Sequence, residues 1–150
     1  MDAYLQKLAR LNANKNSKHW TAVTTHRAPH KPLLLLAVID RFEQGAYTSN
    51  FIEMTSDLIE LFGIYWQVVN PPSQRADIFK PFYHLHSDGF WHLVPVPGAE
   101  ERLDHTRTIV TMSQLTETVL GATLDEALYT WWQTANGRNQ SRAALIAAYF

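Results

Sequence analysis

The stretch His30-Lys31-Pro32-Leu33-Leu34-Leu35-Leu36-Ala37-Val38-Ile39-Asp40-Arg41-Phe42 decides how this chain folds. Pro29 and Pro32 stand where a helix tolerates proline, in its first turn, because the N–H groups there have no intrahelical acceptor. From Leu33 to Gln44-Gly45 apolar residues run nearly all the way round the predicted helix. Such a helix must be surrounded on every side, which makes it the central buried element.

Working outward, Asp2 can cap a first helix in which Tyr4, Leu5, Leu8 and Leu11 keep helical spacing. A polar, basic loop containing Asn12, Asn14, Asn16 and Ser17 separates it from the central helix. Downstream, Phe51-Ile52-Glu53-Met54 reads as a short extended piece, and Thr55 or Ser56 caps a helix with Asp57 in its first turn. Leu58, Leu61, Phe62, Tyr65 and Val69 form one face of that helix, which Asn70-Pro71-Pro72 stops. Phe82–His86 and Phe90–Val94 flank Ser87-Asp88-Gly89, a pattern that predicts a hairpin over about 82–94. In the tail, Thr123 with Glu126 fits a capping box ahead of Leu124, Leu128, Trp131 and Trp132. Asn136-Gly137 is expected to close that helix, and a last one to run from about Arg138 to Ala148. The predicted class is α+β, helix-rich, with a winged-helix-like core and additional C-terminal helices in one domain over 1–150. The abrupt apolar end at Tyr149-Phe150 suggests a domain excised from a longer protein.

With 150 residues the chain is long enough for one core, and 46% apolar against 18% charged residues excludes disorder. The longest apolar run, Leu33 to Ile39, is too short to span a membrane, and no secretory signal is visible at the N-terminus. The expected setting is cytoplasmic. The absence of cysteine rules out disulfides, thiolate zinc sites and cysteine nucleophiles. Thirteen basic residues against fourteen acidic ones leave the total near neutral, but unevenly spread. Lys7, Arg10, Lys15, Lys18, Arg27 and Lys31 oppose Asp2 alone in the first 31 residues. That distribution permits a local phosphate-binding face while arguing against indiscriminate nucleic-acid coating; a solvated basic helix is the plainer alternative.

Three constellations could carry chemistry. His26-Arg27-Ala28-Pro29-His30-Lys31-Pro32 puts cationic and imidazole side chains at the positive end of the central helix, which suits an anion such as a phosphate diester. Lys80-Pro81-Phe82-Tyr83-His84-Leu85 builds a firm apolar surface with a cation at its edge, or else a plain core strand. His84, His86 and His92 could ligate zinc or nickel in a small metal-dependent hydrolase, or form only a polar strand face. No His-Asn-His metal finger, P-loop, dinucleotide glycine fingerprint or nucleophile elbow appears, so no catalytic residue, metal or cofactor is expected. A winged-helix protein–protein module anchored by Trp20, Tyr83 or Trp91 is a further alternative.

The two proline motifs, Arg27-Ala-Pro-His-Lys-Pro-Leu-Leu-Leu-Leu and Pro81-Phe82-Tyr83-x-Leu85-x-x-Asp88-Gly89-x-Trp91, together resemble the DNA sulfur-binding domains of HNH-type type IV restriction endonucleases. The resemblance covers essentially the whole chain and implies a non-catalytic reader of phosphorothioate-modified duplex DNA, with the nuclease domain elsewhere. Any homodimer is expected to form through the full-length protein. It implies a sulfur cup around Pro81 built from Arg27, Lys80, Phe82, Tyr83 and His84. His26, His30 and Lys31 would hold backbone phosphates, with Lys15, Lys18 and Arg75 further out. Thr48, Ser49, Asn50, Gln74 and Ser87 are the candidates for base contacts. The family pattern often has an aromatic residue before the cup proline and a small one three positions after it; this chain has Lys80 and His84 there.

Overall fold

The computed structural model describes residues 2–12, 28–69, 77–101 and 111–150. Their elements, in order, begin with α1 (Asp2–Ala9), α2 (His30–Glu43), α3 (Ser56–Val69) and α4 (Phe79–His84). A 3₁₀ turn (Leu85–Asp88), β1 (Trp91–Pro95), α5 (Met112–Thr118), β2 (Val119–Leu124), α6 (Glu126–Trp132) and α7 (Ala135–Tyr149) follow. The class is helix-rich α+β, as expected. None of these helices is long and apolar enough to cross a membrane.

α2 is the centre. Leu34, Leu35, Ala37, Val38 and Ile39 are all fully buried, because α3, α4 and α7 pack around it. α3 starts where Thr55 Oγ1 accepts the Leu58 N–H, and buries Leu58, Phe62 and Trp66. α1 lies on α7, where Tyr149 ties the chain's two ends together: its hydroxyl accepts the Leu11 N–H and donates to the Leu8 carbonyl, both at 2.7 Å. Arg142 joins α7 to α2 through Asp40 at 2.6 Å.

The predicted 82–94 hairpin does not form. Residues 79–88 are helical, and β1 pairs antiparallel with β2, Trp91 opposite Leu124 and Leu93 opposite Ala122. Ile52 bridges to Ala122 from β2's other side. The strand pair therefore closes over α5, whereas a wing would close over a tight turn. The reason is a hidden helical period: Ile78, Phe82 and Leu85 recur at offsets 0, 4 and 7 and are all buried, overriding the alternation of aromatics. Pro81 falls at the third helical position, where no N–H is missed, and the first helical bond runs from Phe82 N–H to the Ile78 carbonyl. Gly89, at φ +88°, ends the turn in the left-handed region.

The tail also departs from expectation. Thr123 lies in β2 and caps nothing; Asp125 stands before α6. α6 stops at Trp132, and Thr134 caps α7 by accepting the Gly137 N–H, so Asn136-Gly137 opens a helix instead of closing one. Gly137 is needed there: a Cβ would sit 2.0 Å from the Trp131 carbonyl oxygen.

Candidate functional site

The starts of α2 and α4 meet. Between them opens a cleft of about 340 Å³, lined by Ala28, His30 and Lys31 from one motif and Lys80, Pro81 and His84 from the other, with Ser87 and Asn12 completing it. Both motifs begin helices with a proline in the first turn, and the packing of α4 on α2 brings their flanking side chains together. Lys80 and His84 are exposed, and Pro81 is buried behind them.

Charge in the cleft is restrained. The Lys31 ammonium lies 2.7 Å from Asp88 Oδ2, with the two side chains only 9% and 4% exposed. Asp88 Oδ1 also accepts the Asn12 N–H at 2.8 Å. Ser87 Oγ, which donates to the His84 carbonyl, lies 3.5 Å from both Lys31 Nζ and Asn12 Nδ2. Asp88, read from the sequence as turn chemistry, is thus the neutralising partner of Lys31. Asn12 enters from the end of α1. Sequence spacing gave no sign of either pairing, since the partners lie on separate elements.

The two imidazoles that line the cleft, His30 and His84, are both shifted toward their neutral form. Burial pulls His30 down to about 4, with Lys80 adding to the effect and Asp77 opposing it. His30 also packs its ring against Trp66 at 4.7 Å. His84 is lowered by burial first, then by Lys31, His86 and Lys80. Among the described residues, positive charge at the rim therefore comes from Lys80, while His30 and His84 offer hydrogen bonds and ring surface. The His30 shift makes folding acid-sensitive. Unfolded chains bind a proton near the ordinary value of 6.5 that the folded ring refuses until about 4. Stability that is complete above pH 6.5 is thus expected to fall as the pH drops toward 4. Thermal melts across that range check this, and His30→Phe, which keeps the ring on Trp66, should flatten the decline.

Other expected site residues sit elsewhere. Phe82 is core: its ring meets Trp91 edge-on at 5.2 Å, and its carbonyl accepts the Trp91 indole N–H. Tyr83 is 5% exposed, its ring contacts His84 and His86, and it does not itself line the cleft. Trp91 is fully buried and Tyr83 nearly so, which removes them as anchors for a protein partner. Asn50 is a structural clamp, its carboxamide exchanging hydrogen bonds with both backbone groups of Leu124. Thr48, Ser49 and Asn50 follow the far end of α2, about 20 Å along its axis from the cleft. Arg27, His26, Lys15, Lys18, Trp20, Gln74 and Arg75 lie outside the described residues.

The three histidines proposed as metal ligands do not converge. His84 and His86 each contact the Tyr83 ring, whereas His92 Nε2 lies 2.6 Å from Asp125 Oδ1. Asp125 also accepts the Tyr4 hydroxyl at 2.9 Å. Partial burial pushes its carboxyl up, but these hydrogen bonds prevail and hold it below the usual range. Among the described residues no group of three His, Asp or Glu side chains is arranged to hold a metal ion.

Comparison with known proteins follows the same line. No curated protein matches the chain. Among solved structures it is similar to the "Sulfur binding domain of SprMcrA complexed with phosphorothioated DNA", with 20% identity and a TM-score of 0.64 over 99% of this chain and 85% of that one. At that identity the likeness establishes a shared fold. The family model described as "ScoMcrA-like, DNA sulfur-binding domain" matches residues 2–150. The chain belongs to the family of ScoMcrA-like DNA sulfur-binding domains.

Proposed function

We propose that this domain binds duplex DNA whose backbone carries a phosphorothioate, seating the sulfur against Pro81 in the cleft between α2 and α4. It acts as the recognition module of a modification-dependent restriction endonuclease whose HNH nuclease is a separate domain. The observation that carries this reading is the junction of Lys80, Pro81 and His84 with His30 and Lys31 in one cleft. Membership of the family and the fold shared with a relative solved on phosphorothioated DNA support it.

The chemistry follows from the atom exchanged. A phosphorothioate keeps its negative charge, but sulfur is larger, softer and a poorer hydrogen-bond acceptor than oxygen. Burying it against the Pro81 ring, the Lys80 stem and the His84 side chain forfeits less hydration than burying oxygen there. If roughly 40–60 Å² of soft surface leaves water, the gain is on the order of 1–1.5 kcal/mol, about tenfold in affinity. The penalty for forcing a hydrated oxygen into the same place extends the preference further. Lys80 at the rim and Arg27, His26, Lys15, Lys18 and Arg75 supply sequence-blind attraction to neighbouring phosphates, and this term weakens with salt. Gln74 and Ser87 are the remaining candidates for contacts to bases.

The test is a gel-shift comparison of one duplex carrying sulfur, in each stereochemistry at phosphorus, with its oxygen twin. One diastereomer should bind at least tenfold more tightly than the oxygen duplex, with no cleavage in any divalent metal. Equal binding of all three duplexes would overturn the reading.

A further inference from the structure

The geometry points to Asn12 as a specificity residue that reads the non-bridging oxygen of the bound ester and so fixes which diastereomer is accepted. This rests on the phosphorothioate reading above. The cleft has two chemically different ends. At one end Pro81 offers a ring with no donor. At the other, the Asn12 carboxamide and the Lys31 ammonium both converge within 3.5 Å of Ser87 Oγ. From Pro81 to Ser87 the helical backbone advances roughly 10 Å, three α-helical steps and three 3₁₀ steps. An ester with one contact of about 4 Å to sulfur and one of about 2.9 Å to oxygen takes up most of that distance.

Within the polar end, Asn12 has the capacity to spare. Lys31 is buried and bonded to Asp88 at 2.7 Å, and Ser87 donates to the His84 carbonyl. The Asn12 side chain is exposed, and its contact with Ser87 is at the 3.5 Å limit of a hydrogen bond. Its position is nevertheless fixed, because the Asn12 backbone N–H is held by Asp88. A carboxamide N–H favours a hard, well-hydrated acceptor, so it selects oxygen over sulfur. With sulfur on Pro81 and oxygen on Asn12 both ends are matched. The opposite diastereomer mismatches both. The unmodified ester mismatches only the Pro81 end.

This makes the two ends separable by measurement. Asn12→Ala should weaken binding of the favoured diastereomer and of the oxygen duplex alike, by about fivefold each, leaving the ratio between them within twofold. The ratio between the two diastereomers should shrink by a similar factor. Asn12→Asp, which keeps the shape but adds charge, should weaken all three complexes further. Binding of all duplexes unchanged in Asn12→Ala overturns the assignment, as does a variant that loses the sulfur-over-oxygen preference while keeping its diastereomer ratio. A wild-type protein that treats sulfur and oxygen alike instead overturns the functional reading itself, and the assignment with it.

Discussion

Asp88→Ala should destabilise the fold by about 3–5 kcal/mol, the magnitude typical of removing one partner from a buried ion pair. The change leaves the Lys31 ammonium enclosed without its carboxylate and deprives the Asn12 N–H of its acceptor. Denaturant unfolding gives the number. Combining it with Lys31→Met should recover most of the loss, since an apolar pair of similar volume is often as stable as the buried ions it replaces. Failure of the second substitution to rescue would show that Asp88 acts mainly through Asn12. In the surviving folded fraction of the single variant, the salt dependence of DNA binding should steepen by roughly one phosphate contact, because Lys31 is released from its internal counter-charge.

Pro81→Ala should lower affinity for the favoured sulfur duplex by about tenfold while leaving the oxygen duplex within twofold. Alanine is at home in the first turn of a helix, so α4 should persist and the loss should report the ring surface alone. Fluorescence anisotropy on the three duplexes measures it, with the circular dichroism spectrum as the check on folding. An equal loss on sulfur and oxygen duplexes would mean that Pro81 shapes the cleft without touching the sulfur.

How much of this was legible in the sequence depended on how local the cause was. α2 could be read because a helix apolar on all sides has one place to go. α3 could be read from its cap and the spacing of Leu58 and Phe62. The segment 82–86 misled because its aromatics alternate as a strand's would, while the helical set Ile78, Phe82 and Leu85 that actually reaches the core begins before the proline. Thr123 and Glu126 had the spacing of a capping box, yet Thr123 was claimed by pairing with His92 across the sheet. At the site, the first proline motif was visible as a helix start, while the second stood out by its order of cation, proline and aromatics although it read as a strand. What stayed hidden was everything made by partners far apart in the chain: the Lys31–Asp88 pair, Asn12 at the rim, and the Asn50 clamp on Leu124.

The phenol of Tyr149 has a reach beyond its own helix. By gripping both Leu8 and Leu11, it sets the height at which the next residue, Asn12, hangs over the cleft. A residue at the very end of the sequence thus anchors the segment that borders the cleft from near its beginning.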